Sequence, residues 1–293
     1  MKLNNSIYDK VLVMGIGTVA AQCVIKVKKV FENVIFLETR SDTVMSQEAV
    51  CNRNAITFVS GGGKVKITKY LQSLTEKTLI VSVSNRYLFP SYIIEKHNLT
   101  IINYHGALLP KYPGRNAEAW AIYGGEEMGG ITWHVVTADV DAGEIITQVK
   151  VPITDKTTSF TLLREYGRAA QSSFAEMLPS LLDGSVKTHK QEGERGQLIL
   201  SNMRPHDNVL DAEWDAGHIS RFLRALDYGP LEVMGKPMID GYPVLKYHII
   251  EETNKIETTE YNEGNSEIII HKRDLTFRLE IDTNYHHETN NRI

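Results

Sequence analysis

Asn103 and His105 stand two residues apart in "INYHGALLPKYPGR", where an apolar run ends and a loop with Pro110, Pro113 and Gly114 begins. Side chains alternate faces along a strand, so the amide and the imidazole share one face while Tyr104 takes the other. A neutral amide donor beside a group that titrates near neutral pH suits the attack of an amine on a carbonyl. The amide would donate to the oxyanion as it develops, and the imidazole would take the amine's extra proton. A carboxylate that fixes the ring and holds its imidazolium form would complete the set. "ADVDAGEI" offers Asp141, in a tight turn, with Asp139 two residues earlier as its competitor. Taken singly, the Asn103/His105 pair is explained as well by a structural hydrogen bond as by chemistry, and Asp141 is explained by turn formation.

The elements that would position these residues follow from hydrophobic patterning. Short β-branched runs, "KVLVMG" at 10–15, "NVIFLE" at 33–38, "AITFVS" at 55–60, "TLIVSVS" at 78–84 and "LTIINYH" at 99–105, alternate with helical segments beginning near Val19, Asp42, Val65 and Pro90. Such alternation implies βαβ units and a Rossmann-like, mostly parallel α/β sheet with helices on both faces. Ligands in that architecture bind beyond the carboxyl ends of the strands, which is where Asn103 and His105 lie. From about 131 the strands lengthen into "GITWHVVTADV" and "GEIITQVKVPI", joined through "DAG" as antiparallel neighbours. Phe160, Leu163, Ala170, Phe174, Met177, Leu178 and Leu181 then recur at helical spacing over 157–182, so a long helix is expected to pack back on the sheet. The expected division is a catalytic domain over 1–190, a polar linker over 191–207, and a smaller C-terminal unit over 208–293. That unit opens with the helix "AGHISRFLRALD", continues as a small β structure and frays in "TNYHHETNNRI".

A chain of 293 residues, 42% hydrophobic and 23% charged, has the composition of an ordinary folded protein of one large domain and an appendage. The formal net charge of -4 gives no global pull toward nucleic acid. Cys23 and Cys51 form no CxxC pair, so neither a disulfide framework nor a structural metal is indicated and a reducing cytoplasm is expected. "VLVMGIGTVAAQCVIKV" has glycines at a turn and no cleavage pattern after it, so it reads as strand, turn and helix rather than signal peptide. Within it, "MGIGTVA" followed by Glu38 imitates a dinucleotide-binding fingerprint. Ala20 stands where the third glycine belongs, and a tight strand-to-helix reversal is preferred to a nicotinamide nucleotide site.

"NYHGALLPKYPGR" followed after an interval by "GITWHVVTADVDAGEII" resembles the folate-dependent formyltransferase family, whose members share Asn-x-His, a Leu-Pro loop and then a strand with an Asp-x-Gly turn. The group includes the glycinamide ribonucleotide, methionyl-tRNA and sugar-nucleotide formyltransferases. The likeness is strongest over 78–150 and resumes in "LDAEWDAGHISRFLRALDYGP". It implies formyl transfer from 10-formyltetrahydrofolate without a metal, with Asn103, His105 and Asp141 as the catalytic residues. It also implies a folate pocket formed at Arg86, Tyr87 and Leu88, at Leu109 and Pro110, and at Ala138 and Val140, with much of the recognition made by backbone groups.

The acceptor is read less directly. Arg115, Asn116 and Glu118 follow the catalytic loop and are the candidate acceptor contacts. Trp120, Tyr123, Trp133 and His134 bear on the question without settling it, Trp120 being better read as core. Arg221 and Arg224 suit either a phosphate or a solvated helix face. The pairing of "NAEAWAI" with "GITWH", together with the acidic balance, points to a small-molecule amine, first a nucleotide-linked amino sugar. Methionyl-tRNA and an amino-acid or peptide precursor are the alternatives. Nucleic acid is therefore disfavoured as a partner, no membrane is implied, and a homodimer is compatible with the pattern. A formyltetrahydrofolate hydrolase would use the same three residues on water, but "MKLNNSIYDKVLVMG" leaves no room for the regulatory module such chains carry in front. Purine-pathway members of the group generally lack the appended C-terminal unit.

Overall fold

The structure, a computed structural model, describes residues 6–40 and 46–285. The helix start expected near Asp42 and the chain from 286 onward lie outside the described residues. Contacts divide the chain into two units, the first running to Gly114 and including Gly130–Val151 and Glu165–Leu198, the second comprising Arg115–Gly129, Pro152–Arg164 and the chain from Ile199. Segments 115–129 and 152–164, which the sequence reading set inside 1–190, pack with the second unit. The reason is local: Tyr123 stacks edge-on against Phe222 and lies against His218, while Ser159 donates to the Ala225 carbonyl at 2.6 Å.

In the first unit, β1 (Lys10–Gly15), β2 (Val34–Glu38), β3 (Thr57–Ser60), β4 (Thr78–Val83) and β5 (Leu99–His105) alternate with α1 (Gly17–Val30), α2 (Glu48–Arg53), α3 (Lys64–Ser73) and α4 (Ser91–Ile94). After α5 (Ala117–Tyr123) come β6 (Met128–Val135) and β7 (Ile145–Pro152), then the long α6 (Ser159–Asp183). The sheet order is β3-β2-β1-β4-β5-β6-β7. Its first five strands are parallel and β6 runs antiparallel to β5. Val11, Leu12, Val13 and Met14 on β1 and Leu79, Ile80 and Val81 on β4 are fully buried. Continuous apolar runs of this kind belong to strands covered on both faces.

The glycine turn is structural. A Cβ on Gly15 would lie 1.7 Å from the Val83 carbonyl oxygen, so the approach of β1 to β4 demands glycine there. Glu38, the supposed ribose ligand, is 3% exposed and accepts from the Ser46 hydroxyl at 2.9 Å and the Gln47 amide at 2.8 Å. Its carboxylate is used to hold the entry to α2.

From Glu165 on, α6 packs against β6. Phe174 meets Trp133 with ring centroids 5.2 Å apart, Ser173 accepts from the Trp133 indole N–H at 3.1 Å, and the Tyr166 hydroxyl accepts from the Gly130 amide at 3.0 Å. Apolar area and hydrogen bonds thus fix the same strand that carries His134.

The second unit contains α5, α7 (Ala216–Leu226), and β8 (Met238–Ile239), β9 (Tyr242–Glu251), β10 (Thr258–Asn262), β11 (Glu267–His271) and β12 (Leu275–Ile281). These five strands form an antiparallel sheet in the order β10-β11-β12-β9-β8. Ile268, Ile270, Phe277 and Leu279 alternate onto its fully buried face, which is the small β structure expected. Asp215 caps α7 by accepting from the His218 amide at 2.8 Å. Arg224 on this helix is buried and donates to the Thr154 and Thr157 carbonyls at 3.1 and 2.8 Å, so it braces the segment before α6. A cavity of about 530 Å³ opens beside Leu226, Tyr228, Lys236 and Tyr247 of this unit, and none of the three candidate catalytic residues lines it.

Removing the ring that seats α6 should be severe. Phe174→Ala is expected to destabilise by about 3–5 kcal/mol, the usual range for deleting a fully buried Phe, read from denaturant unfolding. A loss below about 1 kcal/mol would contradict this packing.

Candidate active site

The register of β5 explains the first pair. Asn103 lies opposite Ser82 on β4 and opposite His134 on β6, while His105 lies opposite Thr132. Directly opposed residues on neighbouring strands project to the same face, so β5 and β6 bring one amide and two imidazoles together. The Asn103 Nδ2 is 3.2 Å from His134 Nε2.

Asp141 closes the group from the turn between β6 and β7. Its Oδ2 lies 3.5 Å from His105 Nδ1 and accepts from the Gly114 amide at 2.8 Å, while its Oδ1 lies 3.4 Å from His134 Nε2. The residue itself has φ 52°, in the left-handed region where few non-glycine residues sit, Asp and Asn being among the more tolerant. Asp139 is exposed, and its carbonyl accepts from the Thr137 hydroxyl at 3.1 Å. The competition between the two carboxylates is thus resolved in favour of Asp141 as the residue that meets His105.

Backbone carbonyls set both imidazole tautomers. His105 Nε2 lies 2.8 Å from the Tyr112 carbonyl and His134 Nδ1 lies 2.9 Å from the Val135 carbonyl. A carbonyl only accepts, so these two nitrogens carry the protons and the nitrogens facing Asp141 are bare when the rings are neutral. The bare His134 Nε2 then accepts from Asn103, which fixes the orientation of that amide. Its other N–H remains to be aimed at a ligand. The bare His105 Nδ1 can take a proton and so become the positive member of an ion pair with Asp141.

Electrostatics follow from burial. Desolvation holds His105 below the ordinary histidine pKa of 6.5, against the opposing pulls of Asp141 and the Tyr112 carbonyl, so the ring is neutral at pH 7. Burial alone would raise Asp141, but the two imidazoles, which turn an N–H and a positive charge toward the carboxylate once they take up a proton, His134 foremost, together with the Gly114 amide outweigh it and bring its pKa to about 2. The carboxylate is therefore ionised at neutral pH. A depression of this size amounts to on the order of 2 kcal/mol of stability, present above the unfolded pKa of 3.8 and lost as pH falls toward 2. His105 acts in the same direction: below pH 6.5 the unfolded chain takes up a proton that the folded ring resists, so acidification destabilises the fold.

Supporting contacts hold the loop after β5. Thr132 donates to the Ala107 carbonyl at 2.6 Å and accepts from the Leu109 amide at 3.1 Å, and Gln148 bridges Thr132 and the Leu109 carbonyl at 2.9 Å each. Leu109 is buried within this polar hub, and Pro110 follows it at partial exposure. On the loop after β4, Arg86 and Leu88 are exposed, whereas Tyr87 is buried, joins its hydroxyl to that of Thr68 at 2.8 Å and packs edge-on against Phe89. Ala138 is exposed and Val140 half-buried on the turn that carries Asp141.

Arg115 and Asn116 immediately precede α5 in the second unit, where Asn116 takes φ 52° at the helix N-cap. Glu118 differs from its expected role. It is 6% exposed and accepts from the Tyr228 hydroxyl at 2.7 Å, and burial raises its pKa. Its carboxyl is engaged inside the second unit. Trp120 lies on α5 with its indole N–H buried, and the Arg221 Nε is likewise buried without a partner. His134 is the residue whose part the sequence reading did not assign. The signal that could have found it is register: with β5 and β6 paired through the Asn-x-His end, His134 falls opposite Asn103. Among the described residues no group of three or more His, Cys, Asp or Glu side chains is placed to hold a metal ion, and no helix is long and apolar enough to cross a membrane.

A Rossmann-like sheet thus gathers an amide, two imidazoles and a carboxylate at the end of β5. The model of the formyl transferase family matches residues 11–178, and the chain belongs to that family. Among curated relatives, a methionyl-tRNA formyltransferase of Limosilactobacillus fermentum is 28% identical over 187 residues, covering 64% of this chain and 57% of that protein. A GDP-perosamine N-formyltransferase of Brucella melitensis is 30% identical over 173 residues, covering 56% of this chain and 66% of that protein. The matches thus span less than two thirds of either relative. The structure of an N-formyltransferase from Helicobacter canadensis, in complex with folinic acid and dTDP-3-aminofucose, superposes with a TM-score of 0.76 at 17% identity, covering 93% of this chain and 99% of that one. That likeness is one of fold.

The imidazole environment can be read by NMR titration. The His105 midpoint is expected below 6.5 and should fall further in Asp141→Asn, because the substitution removes the charge that favours the imidazolium and leaves the burial. A midpoint above 6.5, or one that Asp141→Asn does not move, would refute this electrostatic account.

Proposed function

We propose that the protein transfers a formyl group from 10-formyltetrahydrofolate to the primary amine of a small acceptor, a nucleotide-linked amino sugar. The observation that carries the reading is the convergence of Asn103, His105 and Asp141, the polar residues of the two family motifs, around one buried carboxylate. A neutral amine attacks the formyl carbon, and the free Asn103 N–H donates to the oxyanion that forms. His105 Nδ1 takes the proton the amine must lose, and the resulting imidazolium pairs with Asp141. As the bond from carbon to the folate nitrogen breaks, His105 returns that proton to the leaving nitrogen. The new amide and tetrahydrofolate leave, and the site is reset.

In this reading the loop after β4 and the turn 137–141 receive the folate, with Arg86, Tyr87, Leu88, Leu109, Pro110, Ala138 and Val140 around it. Tyr87 and Leu109 serve chiefly through the backbone they hold, since both side chains are buried. Arg115 and Asn116 are the proposed acceptor contacts, and Glu118 acts instead by anchoring α5 through Tyr228. A cytoplasmic location belongs to the same reading.

The GDP-perosamine relative supports a sugar-nucleotide acceptor, and so does the net charge of -4, because a transfer RNA partner calls for phosphate neutralisation by Lys and Arg. The methionyl-tRNA relatives favour charged initiator tRNA as the second reading.

Tetrahydrofolate release from 10-formyltetrahydrofolate, measured with a panel of amino-sugar nucleotides, amino acids and charged initiator tRNA, tests both parts. Release should require one amine and fall by on the order of 10²-fold or more in Asp141→Asn, in which the fold is kept. Near-normal turnover in the variant would sink the mechanism, and steady release without any amine would make the protein a hydrolase.

A further inference from the structure

Resting on the site just proposed, a second set of contacts converges on the same turn from a part of the chain that the sequence reading took as a linker. The Gln191 side-chain amide donates to the Asp141 carbonyl at 2.8 Å and to the Gly143 carbonyl at 2.9 Å. Four residues on, the Arg195 guanidinium donates to the Val140 carbonyl. Both partners of the Gln191 Nε2 are pure acceptors, so only the amide orientation that places its two N–H groups there is compatible with them. Three carbonyls of one tight turn are thereby held by two side chains from a single stretch.

The same stretch also grips the opposite side of the site. The Gly196 amide donates to the Pro110 carbonyl at 3.0 Å. A Cβ on Gly196 would come 3.0 Å from the Tyr112 amide nitrogen, so the strand of chain runs hard against the loop that contains Tyr112. That loop supplies the carbonyl that fixes His105 and, at Gly114, the amide that Asp141 accepts from. His189 exchanges backbone hydrogen bonds with Ile145 at 2.8 and 3.0 Å, which ties the start of the stretch to the beginning of β7. Residues 189–196 therefore connect the turn bearing Asp141 to the loop bearing Tyr112 and Gly114.

We propose that Gln191 is a positioning residue for the transfer reaction, with Arg195 as its auxiliary, and that the 189–196 strap sets the place of the Asp141 carboxylate between His105 and His134. Asp141 has the left-handed φ of 52°, a conformation that surrounding contacts must over-determine if it is to persist. Gln191 provides that determination at the carbonyl of Asp141 itself. Without it the turn relaxes, the carboxylate leaves the His105 imidazolium, and proton transfer slows while the proposed acceptor contacts, which lie off this turn, are retained.

The test uses the full chain with Gln191→Ala, Gln191→Glu and Arg195→Ala, and Asp141→Asn as the reference for a missing carboxylate charge. Gln191→Glu keeps the side chain's size but turns a carboxylate toward two carbonyls, so it should be as impaired as Gln191→Ala. Both are expected to lose at least about tenfold in kcat with the acceptor KM little changed, since a small misplacement of a catalytic group can cost up to about 10²-fold. Arg195→Ala should lose less. In parallel, the His105 Cε1–H resonance of Gln191→Ala should move toward its position in Asp141→Asn. Wild-type kcat in either Gln191 variant, or a His105 resonance unmoved in Gln191→Ala, overturns the proposal. If the wild-type protein transfers no formyl group to any acceptor, the functional reading fails, and the His105 resonance still decides whether Gln191 places Asp141.

Discussion

A carboxylate that is largely removed from water must find its compensation within the protein, and Asp141 finds it in one backbone amide and in two imidazoles that become its donors when they take up a proton. The rest of the site is arranged around that requirement. The amide comes from Gly114 at the end of the loop after β5, His105 from the last residue of that strand, and His134 from the strand paired with it. Each group faces the carboxylate only because β5 and β6 are antiparallel in one register. A slip of one residue between the two strands would put Asn103 and His105 on the face opposite His134.

The scaffold makes that register rigid. β4 and β5 are parallel, apolar and largely buried, while β6 is pinned by the indole of Trp133 and the phenyl ring of Phe174 on α6. Burial of the site then acts on its chemistry in two ways. It keeps His105 neutral and able to accept a proton, and it strengthens the attraction between that proton, once bound, and Asp141. The pair is uncharged plus anionic at rest, and in the proposed transfer it becomes an ion pair only as the proton moves, which is when stabilisation accelerates a reaction.

Much of this was legible in the sequence for identifiable reasons. The alternation of β-branched runs with helical segments specified β1 to β5, and Asn103 and His105 could be placed on one face because strands have a period of two. The change to longer alternating runs after residue 131 marked β6 and β7 as strands, while the antiparallel pairing of β6 with β5 and the edge position of β7 come from the fold. The choice between Asp141 and Asp139 was open from the residues alone, because it depends on how a tight turn curls back over the sheet. His134 escaped assignment because its role comes from cross-strand pairing rather than from local pattern. Gln191 and Arg195 lie in a polar, glycine-containing stretch whose composition reads as connection, and their contacts are some fifty residues away in sequence. Glu118, expected to contact the acceptor, and Arg224, expected to meet a phosphate or solvent, are each buried with partners brought from distant segments, Tyr228 for the first and the Thr154 and Thr157 carbonyls for the second.

One carboxylate stands between two imidazoles whose outer nitrogens are tied to backbone carbonyls. Long-range proton–nitrogen correlation spectra of the ¹⁵N-histidine-labelled protein at neutral pH test this directly. The account predicts opposite tautomers, with the proton on Nε2 of His105 and on Nδ1 of His134. Finding the proton of His105 on Nδ1, or both rings in the same tautomer, would contradict it.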